Sequence, residues 1–171
     1  DRPVVQRLLA RGLERRVVVE GVGLVGIDVP LARAGHLAGE RLDPPTHEWL
    51  NQVLDVPIVD HWWQTETGWP IVANPMGLDP HRVKMGSATF AVPGFKVEVL
   101  DDAGQPVPPN ETGNICLKLP LPPGCLPTLW NDDEGFRNSY LKSYDGYYHT
   151  ADGGYLDEDG YLFVMGRTDD V

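Results

Sequence analysis

The chain has 171 residues, enough for one ordinary domain with a real core, and 42% of them are hydrophobic. No apolar run is long enough to cross a bilayer, and the N-terminal region lacks the uninterrupted apolar stretch of a signal peptide. A formal net charge of -11 argues against a general nucleic-acid binder, although local donors or a metal still allow an anionic nucleotide to bind.

In chain order, the opening DRPVVQRLLARGLERRVVVEGVGLVGIDVP predicts a short helix over Val4–Arg15 and a strand over Val17–Val25. Up to His36 there are six Arg, no Lys and four acidic residues, whereas eight Lys or Arg face 21 Asp or Glu after it. Residues 1–36 are therefore a different kind of sequence from the rest. That composition fits a mistranslated frame or a gene-model artefact as well as a divergent natural segment. AGERLD, Ala38 to Asp43, reads as a strand-to-helix turn, and Gly39 would also let the backbone approach a flat ligand closely. THEWLNQVL has helical spacing, with Trp49, Leu50, Val53 and Leu54 on one face and Thr46 as N-cap. VPIVDHWWQ reads as a buried strand.

GFKVEVLDDAGQPV alternates as a strand does and turns at Asp102-Ala103-Gly104, and TGNICLKL alternates again. Together they predict a small antiparallel sheet or barrel. LPLPPGCLPT is a proline-rich loop. YYHTADGGYLDEDGYLFVMGRTDDV predicts two short strands around a turn at Asp157–Gly160. Cys116 and Cys125 lack the spacing of metal ligands or a disulfide framework and read as small semi-buried side chains in a reducing cytosol or matrix.

Four clusters carry chemistry. In AGERLD the glycine is a weak signal by itself. In WWQTETG a hydroxyl and a carboxylate follow two indoles, which suits a phosphate held through Mg²⁺, and a solvated strand end explains the pattern equally well. In HTADGGYL, Asp152 sits among Thr150 and glycines, as an aspartate gripping a ribose diol would. Taken alone it is more simply a turn aspartate bonding its own backbone. In GRTDD, Arg167 offers a fork of donors to phosphate or ribose oxygens, and alone a solvated hairpin tip is the simpler account.

The order of the four, Gly-Glu, Trp-Gln-Thr-Glu, Thr-x-Asp and Gly-Arg-x-Asp-Asp, resembles the adenylate-forming superfamily. The likeness is strongest to its acetyl- and propionyl-CoA synthetase branch. IVDHWWQTETGWPI, LPLPPGC, YLDEDGYLFVMGRTDDV and AGERLDPPT carry it over residues 37–171. The resemblance implies a partial adenylate-forming large domain, α/β followed by a β-rich, distorted-barrel subdomain. Residues 37–80 would end the α/β AMP-binding part, 81–165 would form the β-rich part, and 166–171 would be the hinge.

It also implies roles. Gly39, Glu40 and Arg41 would pack along the adenine, and the family often has Pro at the place of Arg41. Asp60, His61, Trp62 and Gln64 would line the adenine and the acyl-adenylate. Thr65 would touch the α-phosphate, Glu66 would hold Mg²⁺, and Asp152 and Arg167 would bind the ribose. Asp169 would be the pivot of a C-terminal domain. Trp63 would wall the acyl pocket with Ala38 facing it, where acetate-preferring relatives tend to carry Val. The expected reaction joins a small carboxylate, ATP and CoA, with propionate favoured over acetate, in the cytoplasm or, in a eukaryote, the mitochondrial matrix. No nucleic-acid or membrane partner is implied.

The usual Thr-Gly-Asp is here Thr150-Ala151-Asp152. The family's phosphate loop and its adenylation lysine have no counterpart among these residues. The chain thus looks like the late part of a large domain, cut at the hinge and inactive alone. A nucleotide-binding module without chemistry, or a fragment that does not fold, remain the alternatives.

Overall fold

The computed structural model describes residues 35–37, 42–54 and 56–168. The helix and strand expected before residue 26, the residues Ala38, Gly39, Glu40 and Arg41, and the pivot Asp169 lie outside the described residues.

Two four-stranded sheets share one core. In the first, β1 (Gly35–Leu37) pairs parallel with β2 (Ile58–Trp62), and β3 (Val72–Ala73) and β4 (Phe90–Ala91) follow antiparallel. The helix α1 (Pro44–Leu54) makes the crossover from β1 to β2. The second sheet is antiparallel throughout, in the order β5 (Val97–Leu100), β6 (Gly113–Lys118), β7 (Tyr147–Leu156), β8 (Leu162–Arg167). The antiparallel pairing of the GFKVEVL and TGNICLKL segments follows the alternation in the sequence, and the α/β class is the one the family resemblance implied. Ile71 and Val72 from the first sheet pack with Ile115, Leu117, Tyr148 and Leu162 from the second, so the main core sits where the sheets meet.

The helix starts earlier than expected. Thr46 is not its N-cap; it lies inside the first turn, and its N–H donates to Asp43 Oδ1 at 3.1 Å. Pro44 and Pro45 fit there because proline has no N–H to leave unpaired in a first turn. Leu50 is fully buried against Leu42 and Ile58, while the other residues of the expected face are only half-buried.

Both expected turns are built by an aspartate bonding its own backbone. Asp101 Oδ1 accepts from the N–H of Ala103 and Gln105, and Asp157 Oδ1 accepts from Asp159 and Tyr161. After the proline loop comes a short helix, α2 (Asp133–Phe136), which the sequence reading did not foresee; it continues as one wide π turn over Arg137–Leu141. Asp132 Oδ1 caps it by accepting from Gly135 N–H at 2.9 Å.

The segment before β4 is stitched to β8. Ser87 Oγ donates to the Leu162 carbonyl, Tyr161 Oη donates to the Arg82 carbonyl, and Lys84 Nζ pairs with Asp157 and Asp159 while lying 4.1 Å from the Tyr161 ring centroid. No helix among the described residues is long and apolar enough to cross a membrane.

The departure at Ala151 has a structural cost. Its φ is +56°, the left-handed region in which a Cβ crowds the following carbonyl. Its carbonyl accepts from both the N–H and the hydroxyl of Thr168, so the conformation is held by the residue that follows β8. Ala151→Gly should therefore stabilise the protein by about 1 kcal/mol, strain relief outweighing the added chain entropy. A shift of the denaturant midpoint to lower concentration would contradict this.

Candidate functional site

At Trp62 the chain leaves the first sheet, and the polar run after it is knotted into a 3₁₀ turn, Thr65–Thr67. The Thr67 hydroxyl accepts from Gln64 N–H at 3.2 Å and donates to the Gln64 carbonyl at 2.8 Å. Gly68, at φ +63°, ends the turn. From the proline loop, Leu126 N–H donates to the Glu66 carbonyl at 2.6 Å. The backbone that carries Gln64, Thr65 and Glu66 is thus held at both sides.

The side chains of this run meet β7. Asp152 is 7% exposed, and its Oδ2 accepts from Trp62 Nε1 at 3.2 Å and from Gln64 Nε2 at 2.7 Å. Gln64 Nε2 also donates to the Thr150 carbonyl at 2.7 Å, and Arg167 Nη1 donates to the same carbonyl at 3.3 Å. Asp152 and Arg167 are directly opposite each other in the β7–β8 ladder. Thr150 Oγ1 donates to the Ile115 carbonyl and accepts from Asp152 N–H, which fixes the turn around Ala151 from below.

Behind the run stand two tyrosines. Tyr148 Oη donates to Gln64 Oε1 at 3.2 Å, and Tyr140 Oη donates to Glu66 Oε1 at 2.8 Å. The Glu66 carboxylate, together with burial, raises the Tyr140 phenol above its ordinary pKa, so it remains a protonated donor.

Asp60, His61, Trp62, Trp63, Gln64, Thr65 and Glu66 line one cleft of about 690 Å³, and Asp152 and Arg167 line it from the other sheet. Every expected site residue that the structure describes is therefore in one place. Trp62 and Gln64 do line the cleft as expected, but their polar ends are turned onto Asp152. Trp63 keeps 43% of its surface exposed at the rim. Tyr140, Tyr148 and Thr150 were missed. A buried tyrosine hydroxyl must find a partner, and a tyrosine in the strand beside Asp152 was the available sequence signal for Tyr148.

Asp60 is 8% exposed on β2 and accepts from His61 N–H at 2.9 Å. Burial pushes its carboxyl up to about 6, against the pull of the backbone donors of His61 and Leu42. The Cys116 thiol, fully buried in β6, is pushed up to about 12 and is an inert core group.

The donor set bears on a metal. Among the described residues no group of three or more His, Cys, Asp or Glu is placed to hold an ion. The Glu66 carboxylate and the Thr65 hydroxyl at the cleft fit Mg²⁺ in its usual setting, held by one or two carboxylates and substrate phosphates.

Comparison with known proteins gives a consistent result. A family model described as AMP-binding enzyme matches residues 4–122, a span that takes in much of the Arg-rich opening. An uncharacterised protein of Pseudomonas aeruginosa is 56% identical over 135 residues, 79% of this chain and 22% of its own length. The mitochondrial acyl-CoA synthetase short-chain family member 3 of Mus musculus is 50% identical over 136 residues, 79% of this chain and 20% of its own length. The propionate–CoA ligase of Escherichia coli is 46% identical over 138 residues, 80% of this chain and 22% of its own length. The chain spans about a fifth of the length of the curated relatives it matches.

Asp60 yields a pH prediction. Its folded pKa of about 6 lies above the ordinary 3.8, so folding favours its protonated form. The cost of keeping it charged sets in as pH rises from about 4 to 6 and is full at pH 7. Asp60→Asn keeps an oxygen for His61 N–H and removes the charge. It should add about 1–3 kcal/mol of stability at pH 7 and almost none at pH 4. Denaturant melts at the two pH values check this, and an equal effect at both would refute the assignment.

Proposed function

This chain belongs to the AMP-binding enzyme family, and from that premise we propose that the whole protein activates a short-chain carboxylate with ATP and passes the acyl group to CoA. The observation that carries the proposal is the convergence of Trp62 and Gln64 on Asp152, beside Glu66 and Arg167, at one cleft. The names of the mouse and Escherichia coli relatives support the substrate class.

In the first step a carboxylate oxygen of the substrate attacks the α-phosphorus of ATP. The bond to the bridging oxygen breaks, and pyrophosphate leaves an acyl-AMP. In the second, the CoA thiol attacks the acyl carbonyl, loses its proton, and expels AMP. The protein need supply no nucleophile, so its work is positioning and charge compensation. Asp152 accepts hydrogen bonds from the ribose hydroxyls with Arg167 beside it, and Asp152 is itself held by Trp62 and Gln64. Thr65 donates to the α-phosphate. Glu66, with the substrate phosphates, would hold Mg²⁺, which would supply compensation for the charge that builds on the phosphoryl oxygens. Asp60, His61 and the segment Gly39, Glu40 and Arg41 border the adenine.

Residues 37–80 close the α/β part, and β5, β6, β7 and most of β8 belong to a distorted barrel over 81–165, the last two residues of β8 leading into the hinge. Residues 166–171 form a hinge that pivots at Asp169 and lets a further domain alternate between the two half-reactions. The compartment is the cytoplasm, or the mitochondrial matrix in a eukaryote.

Trp63 and Ala38 set the acyl length. An indole at the cleft rim ends the pocket after a very short chain. By the family resemblance Ala38 would face the same pocket, and Ala in place of Val would admit about one methylene beyond acetate, a difference of roughly 1–3 kcal/mol. Propionate should therefore have the highest kcat/KM in the whole protein, with acetate next, and Trp63→Gly should extend the profile to longer acids. A wild-type preference for hexanoate or octanoate, or an unmoved profile in the variant, would place the pocket elsewhere.

The family's phosphate loop and adenylation lysine are not among these 171 residues, so residues 1–171 by themselves should yield no acyl-AMP. Pyrophosphate exchange with ATP and propionate tests this, and any exchange above background overturns it.

A further inference from the structure

We propose that Tyr140 is the positioning residue of Glu66, gripping one carboxylate oxygen so that the other is presented to a divalent cation. The inference rests on the reading of Glu66 as the residue that holds Mg²⁺. Nothing in the motifs pointed to Tyr140, which lies in the unforeseen π turn, 74 residues from its partner.

The geometry is that of a brace. Glu66 lines both the large cleft and a second cavity of about 180 Å³, whereas Tyr140 lines only the second. The phenol therefore approaches the carboxylate from behind, on the side away from Asp60 and Trp63. Its hydroxyl takes Oε1, and no hydrogen bond to Oε2 is made among the described residues. The ring cannot swing freely. It stacks on Tyr148 at 5.1 Å with 4° between the planes, and Phe136, one helical turn earlier, packs 5.2 Å away. Tyr148 is fully buried and holds Gln64 through its own hydroxyl. Two stacked phenols thus reach two residues of the same polar run. One serves the Gln64–Asp152 end and the other the Glu66 end.

A glutamate carboxylate on three rotatable bonds loses rotamer freedom when it takes a cation. A donor already locked in an aromatic stack has met that cost in advance. A hydrogen bond to a charged acceptor is among the stronger kinds, so its loss should be felt at the cation.

The test uses the whole protein with Mn²⁺ as probe and a non-hydrolysable ATP analogue. Free Mn²⁺ is followed by electron paramagnetic resonance, and kinetic constants are measured in parallel. Tyr140→Phe keeps the stack and removes the donor. It should raise the half-saturating Mn²⁺ concentration by about tenfold and leave the KM for the carboxylate unmoved. Tyr148→Phe also keeps the stack but releases Gln64, so it should leave the Mn²⁺ curve in place and raise the KM for ATP. Glu66→Gln tests the underlying reading and should weaken Mn²⁺ more than either. If Glu66→Gln weakens Mn²⁺ and Tyr140→Phe does not, the brace is wrong and the metal reading stands. If Tyr140→Phe and Tyr148→Phe weaken Mn²⁺ alike, the loss is not specific to the hydroxyl that grips Glu66, and the proposal fails. If Glu66→Gln changes nothing, the metal reading falls and the brace with it.

Discussion

The carboxylate of Asp152 is the point on which the rest depends. A charge that is 7% exposed is tolerable only when its oxygens are met by donors. Two of those donors come from the end of β2 and the turn that follows it, from Trp62 and Gln64, 90 and 88 residues earlier in the chain. The hydrogen bonds that satisfy the aspartate therefore also sew the first sheet to the second. The cleft is the space left beside that seam.

The seam is part of a longer polar network. Gln64 uses its amide on Asp152 and Thr150, and its carbonyl oxygen takes the Tyr148 hydroxyl. Tyr148 is stacked on Tyr140, which holds Glu66. Inside a low-dielectric interior such a network is favourable only when each member is paired, because any group left over carries its full desolvation cost. The order of donors and acceptors thus restricts each side chain to one role. Trp62 is turned to Asp152, and the exposed indole at the rim is Trp63.

Electrostatics explain why so acidic a chain still suits an anion. Asp60, Glu66 and Asp152 all border the cleft, and Arg167 is the one Lys or Arg among its described lining residues. A phosphate chain entering there meets like charge unless a metal comes with it or the carboxylates are occupied. Asp152 is occupied by internal donors, and Glu66 has one oxygen taken by Tyr140. Burial pushes the Asp60 carboxyl up to about 6, which leaves it largely ionised at pH 7 and a like charge for the metal to offset. The net charge of -11 is thereby separated from the local field where an anionic ligand would sit.

Local signals in the sequence determined a good deal. Alternation marked the strands around Val97–Leu100 and Gly113–Lys118, because a two-residue period can bury only one face of a sheet. Aspartates followed by glycine marked the turns, because a short carboxylate can bond the backbone ahead of it. The ordered motifs pointed to the family. Other features were beyond it. The helix start moved from Thr46 to the prolines because Asp43 captured the first free N–H, a contest that propensity alone does not resolve. The short helix and π turn of 133–141 had no period long enough to detect. The partners of Asp152 and Glu66 depend on which strands pair and in what register. Tertiary structure alone brought Trp62 to Asp152 and Tyr140 to Glu66, because hydrogen bonds between residues 74 to 90 positions apart form only once the core has brought the two sheets together.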